Sequence, residues 1–282
     1  MKVDLFLEGG GVWGLAYLGV YKALSDAGIQ VDHICGYSVG SLVGSLMAVG
    51  FSTNELIDLL GYYPDFGFLK VKTTLATRPY LGKVLSLLFN RGIYDSRSIE
   101  TFIDEICAKK GTTTFEPLMV YGESRLKIIA LDLTNRNIIV LPDDLPKYGI
   151  KPKDFKIAEA VRMSCAIPFY FTPYELTIGN SKNRIIDAGF IRRIPTTIMY
   201  QDRLLKKLTL RFGFKKERGK SNYQVSILDN QLERNIIIPI DRKISFKDFD
   251  LTKEEVIYLY KQGYKICREF IKKEFQEKVR GD

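Results

Sequence analysis

The chain has 282 residues, of which 46% are hydrophobic and 27% charged. This composition excludes a disordered or fibrous protein and suffices for one α/β domain spanning residues 1–282. The longest nearly apolar run, residues 42–51, is too short to cross a bilayer, and no signal-peptide pattern follows Met1, so we expect a cytoplasmic protein. The four cysteines are scattered without metal-ligand spacing, and we therefore expect reduced thiols, no metal and no cofactor.

A glycine-rich loop follows the first predicted strand, Val3–Leu7. The loop reads EGGGVWG, leads into a helix that stops near Gly28, and contains Gly9, Gly10, Gly11 and Gly14. Consecutive glycines leave backbone N–H groups unshielded, and a helix N-terminus adds its dipole, so the loop suits an anion. Two anions fit: the pyrophosphate of a dinucleotide, because the spacing is G-x-G-x-x-G, or the oxyanion of an acyl-transfer intermediate.

A nucleophile elbow, Gly36-Tyr37-Ser38-Val39-Gly40, follows the second predicted strand, residues 31–36. A helix rich in small residues then begins at Val39. A strand, a sharp turn and a helix place a serine hydroxyl above a sheet, at the positive end of the helix. Ser38 is therefore a candidate nucleophile, and the alternative is a serine that only caps the helix.

The positions of His33, the only histidine, and of Asp32 limit the two interpretations, a catalytic serine and a dinucleotide site. His33 lies five residues before Ser38 on the same strand, so we expect it at the far end of that strand from the serine. A base other than histidine must then activate Ser38. A dinucleotide site also expects an acid at the end of the second strand, whereas Asp32 stands at its beginning.

Three later segments carry further signals. Residues 61–92 are aromatic and irregular, which is typical either of a lid or acyl-chain groove or of a satellite hydrophobic cluster. Two apolar strands each deliver an aspartate to a strand end, Asp132 and Asp187, and Gly189 follows the second. A C-terminal helix is predicted at about residues 252–278, beginning with the capping box Thr252 to Glu255.

Together the loop, the elbow and the Asp187-Ala188-Gly189 motif resemble the patatin-like phospholipase family. Residues 160–173, a helix followed by proline, and the segments 130–134 and 248–252 also have counterparts there. The resemblance implies a three-layer α/β/α fold with a mostly parallel central sheet. It also implies a phospholipase A-like lipid acyl hydrolase that uses a Ser–Asp dyad through an acyl-serine intermediate.

The resemblance assigns a role to each motif residue. Ser38 and Asp187 form the catalytic pair. The oxyanion hole consists of Gly9, Gly10 and Gly11, with Val12 or Val39 as further donors. The residues that support the motifs are Gly14, Gly36, Gly40 and Gly189.

The chain departs from the family at Trp13, where Lys or Arg is usual, and at Ala188, where Gly is usual. Trp13 removes a cation and offers an apolar surface for an acyl chain.

Asp132 is the rival base, and we interpret it as structural. An ordinary aspartate, with a pKa of about 3.9, is a weak base for serine, so the dyad requires a buried Asp187.

The net charge of +9 is unevenly distributed. Residues 1–180 hold 18 Lys or Arg against 19 Asp or Glu, whereas residues 181–282 hold 24 against 14. Basic clusters at 203–211 and 215–220 are typical of a solvated face or of contact with an anionic lipid surface. We expect a lipid or phospholipid substrate, peripheral contact with the anionic inner membrane surface, and no nucleic acid, since no binding motif accompanies the charge. A lipid-binding protein without turnover and a nucleotide-binding protein remain the alternatives.

Overall fold

The protein is known from a computed structural model, which describes residues 1–62, 67–78, 81–179, 181–191, 194, 206–214, 223–228, 231–241 and 243–276. The strands are β1 Lys2–Leu7, β2 Gln30–Tyr37, β3 Gly92–Tyr94, β4 Met119–Val120, β5 Glu123–Ser124, β6 Leu126–Asp132, β7 Asn137–Leu141, β8 Phe169–Phe171, β9 Tyr174–Ile178, β10 Ser181–Asp187, β11 Lys206–Phe214, β12 Tyr223–Leu228 and β13 Gln231–Ile240. The helices are α1 Leu15–Asp26, α2 Val39–Ala48, α3 Thr53–Tyr62, α4 Gly82–Phe89, α5 Arg97–Ala108, α6 Ile157–Cys165 and α7 Lys253–Ile271.

One large sheet organises the fold, in the order β12-β13-β11-β1-β2-β6-β10-β9, with β7 also paired to β6. The five central strands, from β13 to β6, run parallel to their neighbours, and the outer pairings are antiparallel. Buried parallel strands require apolar side chains on both faces, which accounts for the apolar run Leu5–Leu7 at the end of β1, whereas the buried Asp4 accepts from the backbone of His33. The predicted α/β fold with a mostly parallel central sheet is confirmed.

The two faces of the sheet have different coverings. Leu5 and Leu7 of β1 belong to the main hydrophobic core, which also contains the buried residues of the helices. Phe6, between them, belongs to a smaller cluster with Ala188 and Ile194 on the opposite face. The alternation of side chains along a strand produces this division.

Helices α1 and α7 pack with their backbones close together. A Cβ atom at Gly19 would lie 2.0 Å from the carbonyl oxygen of Tyr260, and one at Gly263 would lie 1.8 Å from that of Ala16. Helix α7 begins with the predicted capping box, in which Thr252 and Glu255 exchange side-chain-to-backbone hydrogen bonds. It continues as a π-helical turn over Lys272–Gln276, and the predicted end near residue 278 lies outside the described residues. No helix in the described part of the chain is both long and apolar enough to span a membrane.

Strand β6 brings the ends of β2 and β10 together. Tyr37, the last residue of β2, lies opposite Ile129, and Asp187, the last residue of β10, lies opposite Ala130. Because β2 is parallel and β10 antiparallel to β6, their C-terminal ends reach neighbouring positions of β6 from its two sides. The residue that follows Tyr37 is Ser38, so the sheet itself brings Ser38 close to Asp187.

Candidate active site

Ser38 occupies the turn between β2 and α2 in a conformation that L-residues rarely adopt. Its backbone angles are φ 53° and ψ −133°. The turn is closely packed, since a Cβ atom at Gly40 would lie 2.1 Å from the carbonyl oxygen of Leu7. Ser41 secures it by donating from its backbone N–H, at 2.9 Å, and from its hydroxyl, at 2.7 Å, to the carbonyl oxygen of Ser38. Such backbone strain costs about 1–3 kcal/mol and is characteristic of a nucleophile elbow.

A second serine supports this turn from α6. The backbone N–H of Ser38 donates a hydrogen bond of 2.9 Å to the hydroxyl of Ser164, which donates in turn to the carbonyl oxygen of Ile129 at 2.6 Å. Ser164 is fully buried. The role of Ser164 could not be predicted from the sequence, in which only its place in the helix before Pro168 distinguishes it. Ser164 links the elbow to β6, the strand along which Asp187 also aligns.

Asp187 is a buried acid that faces the serine. Burial raises its pKa to about 6, and hydrogen bonds from the Ser38 side chain and the Gly189 backbone lower it in part. The Gly189 N–H donates to Oδ1 at 2.6 Å, and the N–H of Asp187 itself donates to the carbonyl oxygen of Ala166 at 3.0 Å. A carboxylate with a pKa near 6 is a better proton acceptor at neutral pH than an ordinary aspartate.

The alanine that follows Asp187 fits this turn without strain. Ala188 lies in a right-handed 3₁₀ turn, Ala188–Phe190, and is completely buried against the small cluster around Phe6. Among the described residues, the positive φ angles do not include Ala188 or Gly189. A glycine is therefore not required at position 188.

The glycine loop lies directly against the elbow. A Cβ atom at Gly9 would lie 2.9 Å from Cβ of Ser38, and one at Gly14 would lie 2.2 Å from a methyl group of Val39. Gly11 has φ +53°, and a Cβ atom there would lie 1.9 Å from the carbonyl oxygen of Phe246. Only glycine fits these three positions, so the chain passes close to the serine with its backbone exposed.

The available N–H donors of this loop can be separated from those already in use. The N–H of Val12 donates to the carbonyl oxygen of Phe246 at 3.1 Å, which removes it from the candidate oxyanion donors. The N–H groups of Gly10 and Gly11 donate to no described residue. The N–H of Gly9 likewise donates to no described residue, so these three groups can bind an anion beside Ser38.

Trp13 anchors the glycine loop to residues 244–246 and does not line the cavity beside Ser38. Its indole N–H donates to the carbonyl oxygen of Ile244 at 3.0 Å, and its ring contacts that of Phe246 edge-on, with centroids 5.8 Å apart. The apolar surface that the sequence suggested at Trp13 is therefore directed at Phe246.

An apolar cavity of about 110 Å³ adjoins the serine. Its wall consists of Gly11, Val12, Leu15, Leu18, Ser38, Val39, Leu42, Val43, Leu46, Leu56, Leu59, Leu69, Ile99, Phe102, Cys165, Ile167, Phe171 and Phe249. Leu69 is the contribution of the aromatic segment 61–92, of which residues 63–66 and 79–80 lie outside the described residues. Apart from Ser38 and the thiol of Cys165, no polar side chain lines this space, so it suits a hydrocarbon chain.

The rival acid Asp132 has a structural role. It accepts hydrogen bonds from the backbone N–H of Thr134 at 2.9 Å and of Asn135 at 3.0 Å, and from the hydroxyl of Tyr148 at 2.9 Å. It organises the turn that follows β6, as the sequence analysis expected.

His33 lies midway along β2, five residues before Ser38 and about 16 Å from it at the usual rise of a strand. Its Nδ1 is 3.1 Å from Oδ2 of Asp32, and its backbone N–H donates to Asp4 at 3.2 Å. The ligand atoms of these three residues lie within 4.8 Å of one another, a constellation that the sequence analysis did not recognise. Its distance from the serine excludes His33 as the base.

Comparison with known proteins places the chain in a family. The family model for patatin-like phospholipases matches residues 5–200, and the chain belongs to the patatin-like phospholipase family. An uncharacterized protein of Bacillus subtilis, YqhO, is 30% identical over 96% of this chain and 99% of its own length. The lysophospholipase NTE1 of Kluyveromyces lactis is 39% identical, but over 33% of this chain and 7% of the enzyme.

Solved structures show the same fold. ExoU of Pseudomonas aeruginosa, solved in complex with SpcU, matches 98% of this chain with a TM-score of 0.58 at 16% identity. VipD of Legionella pneumophila matches 95% with a TM-score of 0.52 at 15% identity. The chain spans 53% of the matched chain of the ExoU–SpcU structure and 66% of that of VipD.

Proposed function

We propose that the protein is a lipid acyl hydrolase, a phospholipase A-like esterase in which Ser38 and Asp187 form a catalytic dyad. The observation that carries the proposal is the interaction of the buried carboxyl of Asp187 with the side chain of a serine held in an elbow conformation. The apolar cavity beside Ser38 supports an acyl substrate. The match of the family model supports the same class of chemistry.

In the acylation step, Asp187 accepts the proton of the Ser38 hydroxyl while Oγ attacks the ester carbonyl carbon. The tetrahedral intermediate collapses, the bond to the alcohol oxygen breaks, and Asp187 returns the proton to the leaving alcohol. The acyl-serine forms with the acyl chain in the apolar cavity. Water then attacks the acyl-serine, Asp187 accepts its proton, and the proton passes back to Ser38 as the fatty acid leaves.

The negative charge of both tetrahedral intermediates requires hydrogen-bond donors near Ser38. The N–H groups of Gly10 and Gly11 donate to no described residue, and the loop is packed against the serine at Gly9. We assign the oxyanion hole to this loop, with the N–H of Val39 at the start of α2 as a further donor. Removal of one such donor typically costs two to three orders of magnitude in rate, about 3–4 kcal/mol.

The substrate class rests on the cavity and on a relative. NTE1, which aligns over 98 residues, carries the name lysophospholipase, and a phospholipid or lysophospholipid ester fits an apolar space beside a serine. The chemistry above needs no metal, nucleotide or other cofactor. We therefore expect activity to survive EDTA, and NAD or ATP to leave the melting temperature unchanged.

The basic C-terminal third supports contact with a membrane. Residues 181–282 carry a surplus of ten positive charges. Lys206 and Lys207 lie on β11, whereas Lys215, Lys216 and the rest of the cluster at 215–220 lie outside the described residues. We propose that the enzyme is cytoplasmic and binds peripherally to the anionic inner membrane surface. We propose no role for nucleic acid. We also propose that residues 1–282 form one domain.

The proposal is tested with purified protein, short p-nitrophenyl esters, phospholipid vesicles and a fluorophosphonate probe. We expect hydrolysis of both substrates and a covalent adduct at Ser38. A lipid-binding protein without turnover would bind vesicles but would hydrolyse neither substrate. A nucleotide-binding protein would instead be stabilised by several degrees on addition of a dinucleotide, and that result would contradict the proposal.

A further inference from the structure

Helix α4 buries small and polar residues and exposes apolar ones, which is the reverse of an ordinary surface helix. The residues that it buries are Gly82 and Ser86. The Ser86 hydroxyl donates to the carbonyl oxygen of Gly92 at 2.5 Å and bonds the Thr73 hydroxyl at 2.6 Å. A Cβ atom at Gly82 would lie 2.6 Å from the carbonyl oxygen of Leu75. The helix therefore packs against the protein through a small and polar face.

Its other face exposes large apolar side chains. Leu81 is 63% exposed, Val84 52% and Leu88 69%, and the spacing of three and four residues places them on one side. At 100° per residue, this side is opposite to Gly82 and Ser86. Phe89, at the end of the helix, is 73% exposed. An ordinary surface helix, whose outer face contacts only water, would bury these apolar side chains against the core.

Positive charges outnumber acids around this face, because the nearby acids Asp95, Glu100 and Glu175 are paired with Arg97, Arg162 and Lys182. Residues 71–94 contain Lys72, Arg78, Lys83 and Arg91 and not a single Asp or Glu. All four are exposed, and none forms an ion pair with a described residue. A contact between two copies of this face would bring like charges together, because a two-fold interface places the same residues opposite each other. The charge favours an anionic partner.

The exposed apolar surface extends toward the candidate active site. Gly92, next after Arg91, pairs with Phe169, which is 68% exposed. Phe169 lies three residues after Ala166, whose carbonyl oxygen binds the N–H of Asp187. The pairing of β3 with β8 thus links the segment that follows α4 to the segment that binds the backbone of Asp187.

We propose that helix α4 is a membrane-docking element that lies in the surface of an anionic phospholipid bilayer. Leu81, Val84 and Leu88 enter the boundary between head groups and acyl chains, and Lys72, Lys83 and Arg91 bind lipid phosphates. This surface is separate from the basic C-terminal third, and its binding does not depend on hydrolysis.

The test is co-sedimentation with vesicles of phosphatidylcholine alone or mixed with phosphatidylglycerol. Every protein carries Ser38→Ala, so that the vesicles stay intact. The double variant Val84→Asp/Leu88→Asp should bind the mixed vesicles at least about tenfold more weakly than the parent, since two apolar side chains no longer enter the bilayer. Lys83→Gln and Arg91→Gln should each weaken binding about fivefold, and only to the mixed vesicles.

Ile257→Asp is the matched control, because Ile257 is 41% exposed on helix α7 and lies outside this surface. It should bind like the parent, and thermal unfolding should show that all variants are folded. Equal binding of the parent and of Val84→Asp/Leu88→Asp would overturn the proposal. So would a loss of binding confined to a variant with Lys206, Lys207, Lys215 and Lys216 changed to Gln. Sedimentation showing a dimer that only Val84→Asp/Leu88→Asp dissociates would assign the face to a second copy instead.

Discussion

Two acids lie near the two ends of strand β2 in opposite electrostatic environments, Asp32 in the strand itself and Asp187 beside the serine that follows it. At the beginning of the strand, Asp32 is surrounded by positive and polar partners: Lys2 at 3.3 Å, His33 at 3.1 Å and the Arg125 side chain, which donates to its carbonyl oxygen. At the end of the strand, the pKa of Asp187 is set by burial and by hydrogen bonds from Ser38 and Gly189. One end is a compensated ion-pair cluster, and the other is an acid whose ionised form is destabilised.

This difference favours Asp187 over His33 as the base that the proposed mechanism requires. A carboxylate paired with cations is stabilised in its charged form and becomes a weaker base. A carboxylate buried beside a hydroxyl and one N–H group keeps a higher proton affinity. Asp187, which has no counter-ion among the described residues, is therefore the better candidate for the base.

The largest effect should come from the catalytic pair. Ser38→Ala and Asp187→Asn should each lower kcat/KM for a short ester by about a thousandfold or more, because the nucleophile or its proton acceptor is lost. His33→Gln, midway along β2, should stay within about threefold of the wild type. A His33→Gln enzyme as inactive as Ser38→Ala would refute the dyad.

The raised pKa of Asp187 predicts that the wild-type protein is more stable at acid pH than at neutral pH. The pKa of Asp187 rises from 3.8 to about 6 on folding, so the folded state holds the proton more tightly. The free energy of unfolding of the wild type should therefore fall as the pH rises from about 4 to about 6, by about 3 kcal/mol in total. Asp187→Asn cannot ionise and should lack this fall. Chemical denaturation at pH 4 and pH 7.5 checks it, and parallel curves for both proteins would contradict it.

The glycine loop should tolerate no side chain at Gly11. Gly11→Ala combines a positive φ with a Cβ atom 1.9 Å from the carbonyl oxygen of Phe246. Gly28 also has a positive φ, +66°, but nothing lies within 4 Å of a Cβ atom there, which makes Gly28→Ala the matched control. Gly11→Ala should lose about 2 kcal/mol more stability than the control and most of its activity. Equal effects in both variants would remove the close-contact argument.

A smaller effect is expected at Ser164. Ser164→Ala leaves the buried N–H of Ser38 without its acceptor, which should cost about 1–2 kcal/mol of stability and lower kcat more than it changes KM. Ser45→Ala is the control, since the Ser45 hydroxyl only donates to the carbonyl oxygen of Leu42 in its own helix. Steady-state kinetics of both variants measure the difference, and identical kinetics would show that Ser164 does not position the elbow.

Local patterns in the sequence were sufficient for the first strand, the elbow and the capping box of α7, whereas the mostly parallel sheet was predicted from the family resemblance. The apolar run of β1, the glycines around Ser38 and the spacing of Thr252 and Glu255 each reflect physics within a few residues. The roles of Ser38, Asp187 and the loop glycines in catalysis remain predictions, to which the structure adds proximity, burial and a raised pKa.

The features that the sequence did not reveal all depend on distant contacts. Ser164 meets Ser38 across 126 positions of the chain. The cluster of Asp4, Asp32 and His33 depends on the register of two parallel strands. The apolar residues of α4 have the spacing of an ordinary buried face, and only the packing of Gly82 and Ser86 shows that this face is turned outward.

The most direct test of the central claim is the rate at which a fluorophosphonate modifies Ser38 as a function of pH, followed by intact-protein mass spectrometry. For the wild type and for His33→Gln, the rate should rise as Asp187 ionises and reach a plateau above pH about 6. Asp187→Asn should react slowly at every pH. A normal rate in Asp187→Asn, a slow one in His33→Gln, or an adduct on a residue other than Ser38 would contradict the account.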